Sequence, residues 1–95
     1  MIPVREVMPA ALEDLLHKAP LTPEKVAFAW RLTVGAAVGR ATSIELRDRV
    51  LRVRVKAPAW QREVERAAGR IRTRLNALLG EGVVGSLDVV VGPQE

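Results

Sequence analysis

The residues of this chain best suited to binding chemistry are its lysines and arginines, and they concentrate in the middle of the sequence. Between Arg40 and Arg74 there are eleven lysines and arginines against four acidic residues, a net charge of +7, whereas the rest of the chain carries −3. A basic segment in an otherwise mildly acidic chain is typical of proteins that bind a polyanion, most often nucleic acid. The chemistry to look for is therefore phosphate recognition.

The clearest phosphate-binding pattern lies where apolar and basic residues alternate. Leu51, Val53 and Val55 alternate with three cations, which a period of two places on one face of a strand, with Arg47 beside them. These cations are Arg52, Arg54 and Lys56. Neighbours on one strand face stand about 7 Å apart, close to the separation of successive phosphates in a nucleic-acid strand. The alternative is a solvated face whose charges only prevent edge aggregation.

Two further sets of cations could extend this surface. Arg49 belongs to the predicted connection between two strands, Arg47-Asp48-Arg49, which has no glycine to supply a positive φ. A row of arginines lies opposite the apolar stripe of the following helix, although Glu63 and Glu65 lie close by, as on many solvated helices. We predict nucleic-acid contacts at Arg47, Arg49, Arg52, Arg54, Lys56, Arg62, Arg66 and Arg70.

No set of residues in the sequence predicts catalysis. The chain has one histidine, His17, and no cysteine, which excludes thiolate metal sites and disulfides. His17 lies late in a predicted helix, where a cation suits the helix dipole, and with Asp14 it makes only two potential metal ligands. Ser43 and Ser86 have no base near them in the sequence. We therefore expect a protein that is not an enzyme and that needs neither cofactor nor metal.

The two tryptophans are predicted to be structural. Trp30 and Trp60 could stack on bases, as aromatic residues do in proteins that bind single strands. Each, however, lies on the apolar stripe of its helix, so we expect both in the core and no exposed aromatic side chain. Binding directed at phosphates and tolerant of sequence is then favoured over base readout.

The hydrophobic pattern predicts the elements that position these residues. Helices are indicated over 9–18, from Pro23 to a C′ residue at Gly39, and from about Ala59 to Leu79. Strands are indicated over 43–47, 51–56 and 83–91. The order α-α-β-β-α-β predicts an α+β fold, in which a three-stranded sheet has its helices packed on one face. The place of the last strand in the sheet is left open.

Length and composition predict one domain. Ninety-five residues with 48% apolar content can form a single core over 1–95, with an N-terminal helical segment at 1–20 and a short polar tail at 92–95. No signal peptide or long apolar run is evident. We therefore expect a cytoplasmic protein with no membrane partner.

Several local sequences occur at set places along this order. They are Trp30 with Val34-Gly35, Ala41-Thr42, the strand pair from Ile44 to Val55, Ala57-Pro58-Ala59-Trp60 leading into Val64, and Leu75-Asn76-Ala77-Leu78-Leu79-Gly80. With two tryptophans around a basic hairpin, this combination resembles the DciA family of bacterial replicative helicase loaders over nearly the whole chain. The resemblance implies a KH-like α+β domain that binds DNA and assists the replicative helicase, which becomes the suspected partner.

Other functions remain open at this point. A KH domain would clamp nucleic acid with a GxxG loop, whereas Gly35 and Gly39 are one residue too far apart, so no site of that kind is predicted there. The basic face could instead recognise an acidic protein, which would make the chain a protein–protein adapter. Association with RNA or the ribosome is a third possibility. We expect DNA rather than RNA as the nucleic acid, and no small-molecule substrate.

Overall fold

The structure is a computed structural model that describes residues 10–92. Its elements are α1 (Ala10–Lys18), α2 (Pro23–Ala41), β1 (Thr42–Arg47), β2 (Val50–Val55), α3 (Pro58–Arg66), α4 (Ala68–Leu79) and β3 (Ser86–Val91). The predicted α+β order is confirmed, with α3 and α4 together in the place of the third helix. Pro9, predicted to begin the first helix, lies outside the described residues, as does most of the predicted tail.

The sheet has the strand order β1-β2-β3, which gives β3 the place that the sequence left open. β1 runs antiparallel to β2, and β3 runs parallel to β2. Ile44, Val53 and Val89 share one cross-strand row, and the apolar face of the sheet packs against α2, α3 and α4 in a single core. Helices on one face of a three-stranded sheet are what the sequence predicted.

The central strand β2 is the most deeply buried element of the core. The side chains of Leu51, Val53 and Val55 are all completely inaccessible to solvent. Leu75 and Leu78 of α4, which are equally inaccessible, belong to the same hydrophobic cluster. The predicted alternation along β2 is therefore real, and it turns the intervening residues away from the helices.

A buried hydrogen-bond chain joins α2 to β1. The indole Nε1–H of Trp30 donates to Thr42 Oγ1 at 2.9 Å, and the Thr42 hydroxyl donates to the carbonyl oxygen of Val38 at 2.8 Å. Both residues are buried, so water cannot replace these bonds without cost. The predicted core position of Trp30 is confirmed, and the first residue of β1 is tied to it.

The beginning of α2 follows the sequence prediction, but its end does not. Thr22 is the N-cap, its hydroxyl oxygen accepting from the Lys25 N–H at 3.1 Å. Gly39 was predicted to be the C′ residue, which is wrong because the helix continues to Ala41. The glycine that interrupts the helix is Gly35, whose φ of +90° suits a residue without a side chain.

The predicted long helix is broken at Ala67, whose φ and ψ of −94° and 3° end α3 and begin α4. The two halves pack against different partners. Gln61 of α3 donates from its amide to the carbonyl oxygen of Val89 in β3 at 3.1 Å, whereas α4 packs on α1 and α2. Periodicity alone could not reveal the break, because the apolar stripe passes through it without a gap.

The entry into β3 is fixed by α4. The predicted helix end at Gly80 is confirmed, with a φ of +128°. Asn76 then holds the returning chain at both atoms of its amide: Nδ2 donates to the carbonyl oxygen of Val84 at 2.9 Å, and Oδ1 accepts from the Val84 N–H at 2.8 Å. This pair of bonds sets the register in which β3 reaches β2.

Replacing Thr42 by valine tests the buried hydrogen-bond chain. Valine preserves the shape but leaves the Trp30 indole N–H without an acceptor, so we expect the free energy of unfolding to fall by about 1–3 kcal/mol. Urea denaturation followed by circular dichroism measures this change. Thr42→Ser, which retains the hydroxyl, is the control and should cost less. A valine variant as stable as the serine variant would show that the bond contributes nothing.

Candidate nucleic-acid interface

The sheet face opposite the helices is the surface that carries the predicted strand cations. No helix of the described chain packs on it. We call it the open face, and its three cross-strand rows are Ser43–Arg54–Val90, Glu45–Arg52–Asp88 and Arg47–Val50–Ser86. Arg52 and Arg54 lie on the middle strand and Arg47 on its neighbour. The structure therefore brings together three of the predicted residues on one surface.

The open face is less basic than the pattern along β2 indicates. Arg52 has an acidic residue beside it on each neighbouring strand, Glu45 on β1 and Asp88 on β3. Arg52 Nε lies 3.4 Å from Asp88 Oδ2, and Arg47 Nη2 lies 3.3 Å from Glu45 Oε2. The sequence could not show the first pair, because the position of β3 was unknown. Alternation describes only neighbours within one strand.

These ion pairs are exposed and therefore weak. The side chains of Arg52 and Asp88 are 55% and 47% accessible, and those of Arg47 and Glu45 are more accessible still. Exposed pairs of this kind contribute about 0–1 kcal/mol, since solvent and salt screen them. A phosphate group could take the place of either carboxylate at little cost, so the pairs do not prevent anion binding.

Arg54 has no acidic residue in its row. It is half-buried between Ser43 and Val90, and together with Arg52 it lines a shallow hollow of about 250 Å³ on the open face. Ser43, Ile44 and Glu45 form the rest of the hollow. A guanidinium group and a hydroxyl group side by side are suitable donors for a phosphate oxygen.

Arg49 is part of the hairpin turn and has a structural role. Asp48 and Arg49 form a two-residue turn with φ values of 53° and 68°, so the positive φ is supplied without glycine. Arg49 Nε donates to the carbonyl oxygen of Gly82 at 2.9 Å. Its own carbonyl oxygen accepts from Gly85 N–H at 2.7 Å and from Ser86 N–H at 3.2 Å. The side chain and the main chain of Arg49 thus both hold the loop that precedes β3.

The remaining predicted residues lie outside the three rows of the open face. Lys56 follows the end of β2, Arg62 and Arg66 lie on α3, and Arg70 lies on α4 beyond the break. Arg66 is paired with Glu63, its Nη1 lying 3.2 Å from Oε1. The side chains of Lys56, Arg62 and Arg70 make no hydrogen bond or ion pair within residues 10–92, and all three residues are exposed. The predicted set therefore divides into a sheet group and a helix group.

The expectation of no exposed aromatic side chain is wrong. Phe28 on α2 is 43% accessible, and Trp60 on α3 is only partly buried while it packs against the core. Neither lies on the open face, where the rows contain no aromatic residue. Stacking on bases is therefore not available beside Arg52 and Arg54.

We expect Arg49→Ala to destabilise the fold, because the Arg49 side chain holds the loop at Gly82. Its loss should lower the free energy of unfolding by about 1 kcal/mol, the usual contribution of one hydrogen bond. Arg47→Ala, in the same hairpin, should change it by less than about 0.5 kcal/mol. Urea denaturation compares the two. Equal midpoints would contradict the structural role of Arg49.

The described residues also bear on metal binding and membrane insertion. No three side chains of histidine, aspartate or glutamate come together in a way that could hold a metal ion in this part of the chain. Between residues 10 and 92 there is also no helix with the length and apolar character needed to cross a membrane.

Comparison with known proteins gives one match. The chain has no match among the curated proteins or the solved structures with which it was compared. The family model described as Dna[CI] antecedent, DciA, matches residues 3–89. This range includes the hairpin turn, all the predicted cations and every residue of the open-face rows except Val90. Because the match covers nearly the whole sequence, the chain belongs to the DciA family.

Proposed function

We propose that the chain is a non-enzymatic accessory domain that binds nucleic acid, DNA rather than RNA, through its open face and assists the replicative helicase. The observation that carries the proposal is a sheet face bearing Arg47, Arg52 and Arg54 that the helices leave uncovered. Membership of the DciA family, whose role is of the helicase-loader type, supports both the DNA contact and the helicase as partner.

The phosphate contacts follow from the geometry of the middle strand. Arg52 and Arg54 point to the same side of β2 about 7 Å apart, so that they can bind neighbouring phosphates of one strand. Lys56 is exposed just beyond the end of β2, next along the chain to these two arginines, and is available for a third contact. A strand of nucleic acid running along β2 would replace Asp88 at Arg52, which is a weak and exposed partner.

The chemistry of the open face favours binding that tolerates any sequence. The face offers guanidinium and hydroxyl groups, which bind phosphate, and no aromatic residue on which a base could stack. Contacts to phosphates position a protein on nucleic acid without reading its sequence. Phosphate contacts that do not depend on sequence suit an accessory domain that must act at any site where a helicase is placed.

The direct test is the double charge reversal Arg52→Glu with Arg54→Glu. We expect DNA affinity at low salt to fall at least tenfold, because two phosphate contacts become repulsive. The slope of log affinity against log salt should fall by about two for Arg52→Gln with Arg54→Gln. Fluorescence anisotropy on labelled single-stranded DNA, duplex DNA and RNA of equal length gives both quantities. Circular dichroism confirms that the variants fold.

The control is the double variant Lys18→Glu with Arg31→Glu. It makes the same change in net charge at exposed positions on α1 and α2, so it measures the general effect of charge. Its effect on affinity should stay within about threefold. If both double variants weaken binding equally, the open face is not the site. A preference for RNA over both DNA forms would replace the replication role with one in RNA association.

The helix group is tested in the same assay. Arg62→Glu with Arg66→Glu alters the exposed side of α3, which the sequence also predicted to contact nucleic acid. A loss of affinity comparable to that of the open-face variant would extend the interface to α3. No loss would restrict it to the sheet.

A further inference from the structure

An apolar groove lies in the helical layer, apart from the open face. It is bounded by α2, α3 and α4 and has a volume of about 420 Å³. Its apolar wall is formed by Val34, Val38, Trp60, Val64, Ala67 and Ile71. The groove occurs where α2 is interrupted at Gly35 and where α3 gives way to α4 at Ala67, so both helix breaks shape it.

The side chains along the groove are incompletely covered by the rest of the protein. Val64 and Ile71 are buried, whereas Val34, Val38 and Trp60 are only half-buried although they pack against the core. Trp60 is the largest of them. An apolar concave surface of this kind is typical of a binding site, because a partner gains free energy by removing it from water.

The charges at the rim are predominantly positive. Arg70 and Arg74 lie one turn apart on α4, and Glu63 lies on α3. Glu63 is already paired with Arg66 at 3.2 Å, whereas the side chain of Arg70 makes no hydrogen bond or ion pair with any described residue. The same two arginines line a second hollow that continues along α4 past Gly69, Thr73 and Ala77. An approaching partner therefore meets an apolar floor beside a basic ridge.

We infer that the groove binds an amphipathic helix of a protein partner, with apolar residues against Trp60 and Val38 and acidic residues facing Arg70 and Arg74. A groove between helices accepts the apolar side chains of another helix at positions i and i+4. Nucleic acid fits less well, because the valine and isoleucine walls of the groove offer no hydrogen-bond donors to bases. The choice of the replicative helicase as the first partner to test rests on the proposed function.

The binding chemistry is tested with two synthetic 18-residue helical peptides. Both peptides have leucine at positions i, i+4 and i+7, which form one face of the helix. The residues on either side of this face are glutamate in the first peptide and lysine in the second. The full chain is labelled with 5-fluorotryptophan, and Trp60→Phe assigns the two ¹⁹F resonances. We expect the acidic peptide to shift the Trp60 resonance and to leave that of Trp30, which is 2% accessible, unchanged. The lysine peptide should bind at least fivefold more weakly.

The site is tested with Arg70→Glu against Lys18→Glu. Both residues are exposed and both substitutions reverse one charge, but only Arg70 lines the groove. We expect Arg70→Glu to weaken binding of the acidic peptide and of the purified replicative helicase about fivefold to tenfold, and Lys18→Glu to change it less than twofold. The same variants are measured on single-stranded DNA, where Arg70→Glu should behave like Lys18→Glu.

The outcomes separate this inference from the proposed function. Three results would overturn the inference while DNA binding by the open face stands. The first is that neither the peptides nor the helicase shift the Trp60 resonance, the second is equal binding of the two peptides, and the third is equal effects of the two variants. A loss of DNA affinity in Arg70→Glu with unchanged peptide binding would also overturn it. Conversely, a chain that binds the acidic peptide at Trp60 but neither DNA nor helicase would refute the proposed function alone.

Discussion

The burial of one side of β2 is the constraint on which the rest of the structure depends. Leu51, Val53 and Val55 are completely inaccessible to solvent, and each contributes about 1.5–3 kcal/mol by leaving water. A slip of the strand by one residue would bury arginines instead, at a much greater cost because each charge would lose its hydration. The apolar residues therefore decide which way Arg52 and Arg54 face. The core creates the basic side of the sheet as a consequence of its own packing.

The sequence was sufficient for features that depend on local patterns. Alternation along β2 predicted its two faces, and helical spacing predicted Trp30 in the core. It was insufficient where residues distant in the chain meet. Asp88 lies beside Arg52 only because β3 pairs in parallel with β2, and Arg49 holds the loop at Gly82 only because the turn lies beside it. The break at Ala67 has no periodic signature, so the groove beside Trp60 could not be foreseen.

The two proposed binding surfaces lie on opposite layers of the molecule. The open face is on the free side of the sheet, while the groove is formed by α2, α3 and α4. A phosphate backbone along β2 and a partner helix beside Trp60 therefore would not compete for the same residues. The buried atoms between them, from Val53 to Leu75, form one continuous core, which holds the two surfaces in a fixed relation. A domain of this form is suited to hold a protein partner next to nucleic acid.

The central claim is that nucleic acid binds on the open face, and mapping of backbone amide shifts tests it most directly. ¹⁵N-labelled protein is titrated with single-stranded DNA in a ¹H–¹⁵N correlation experiment at low salt. We predict that the largest shifts fall on β1 and β2, around Ser43, Glu45, Arg52 and Arg54, and continue to Lys56. Shifts concentrated instead on α3 and α4, with Arg52 and Arg54 unmoved, would contradict the claim and identify the helical layer as the nucleic-acid surface.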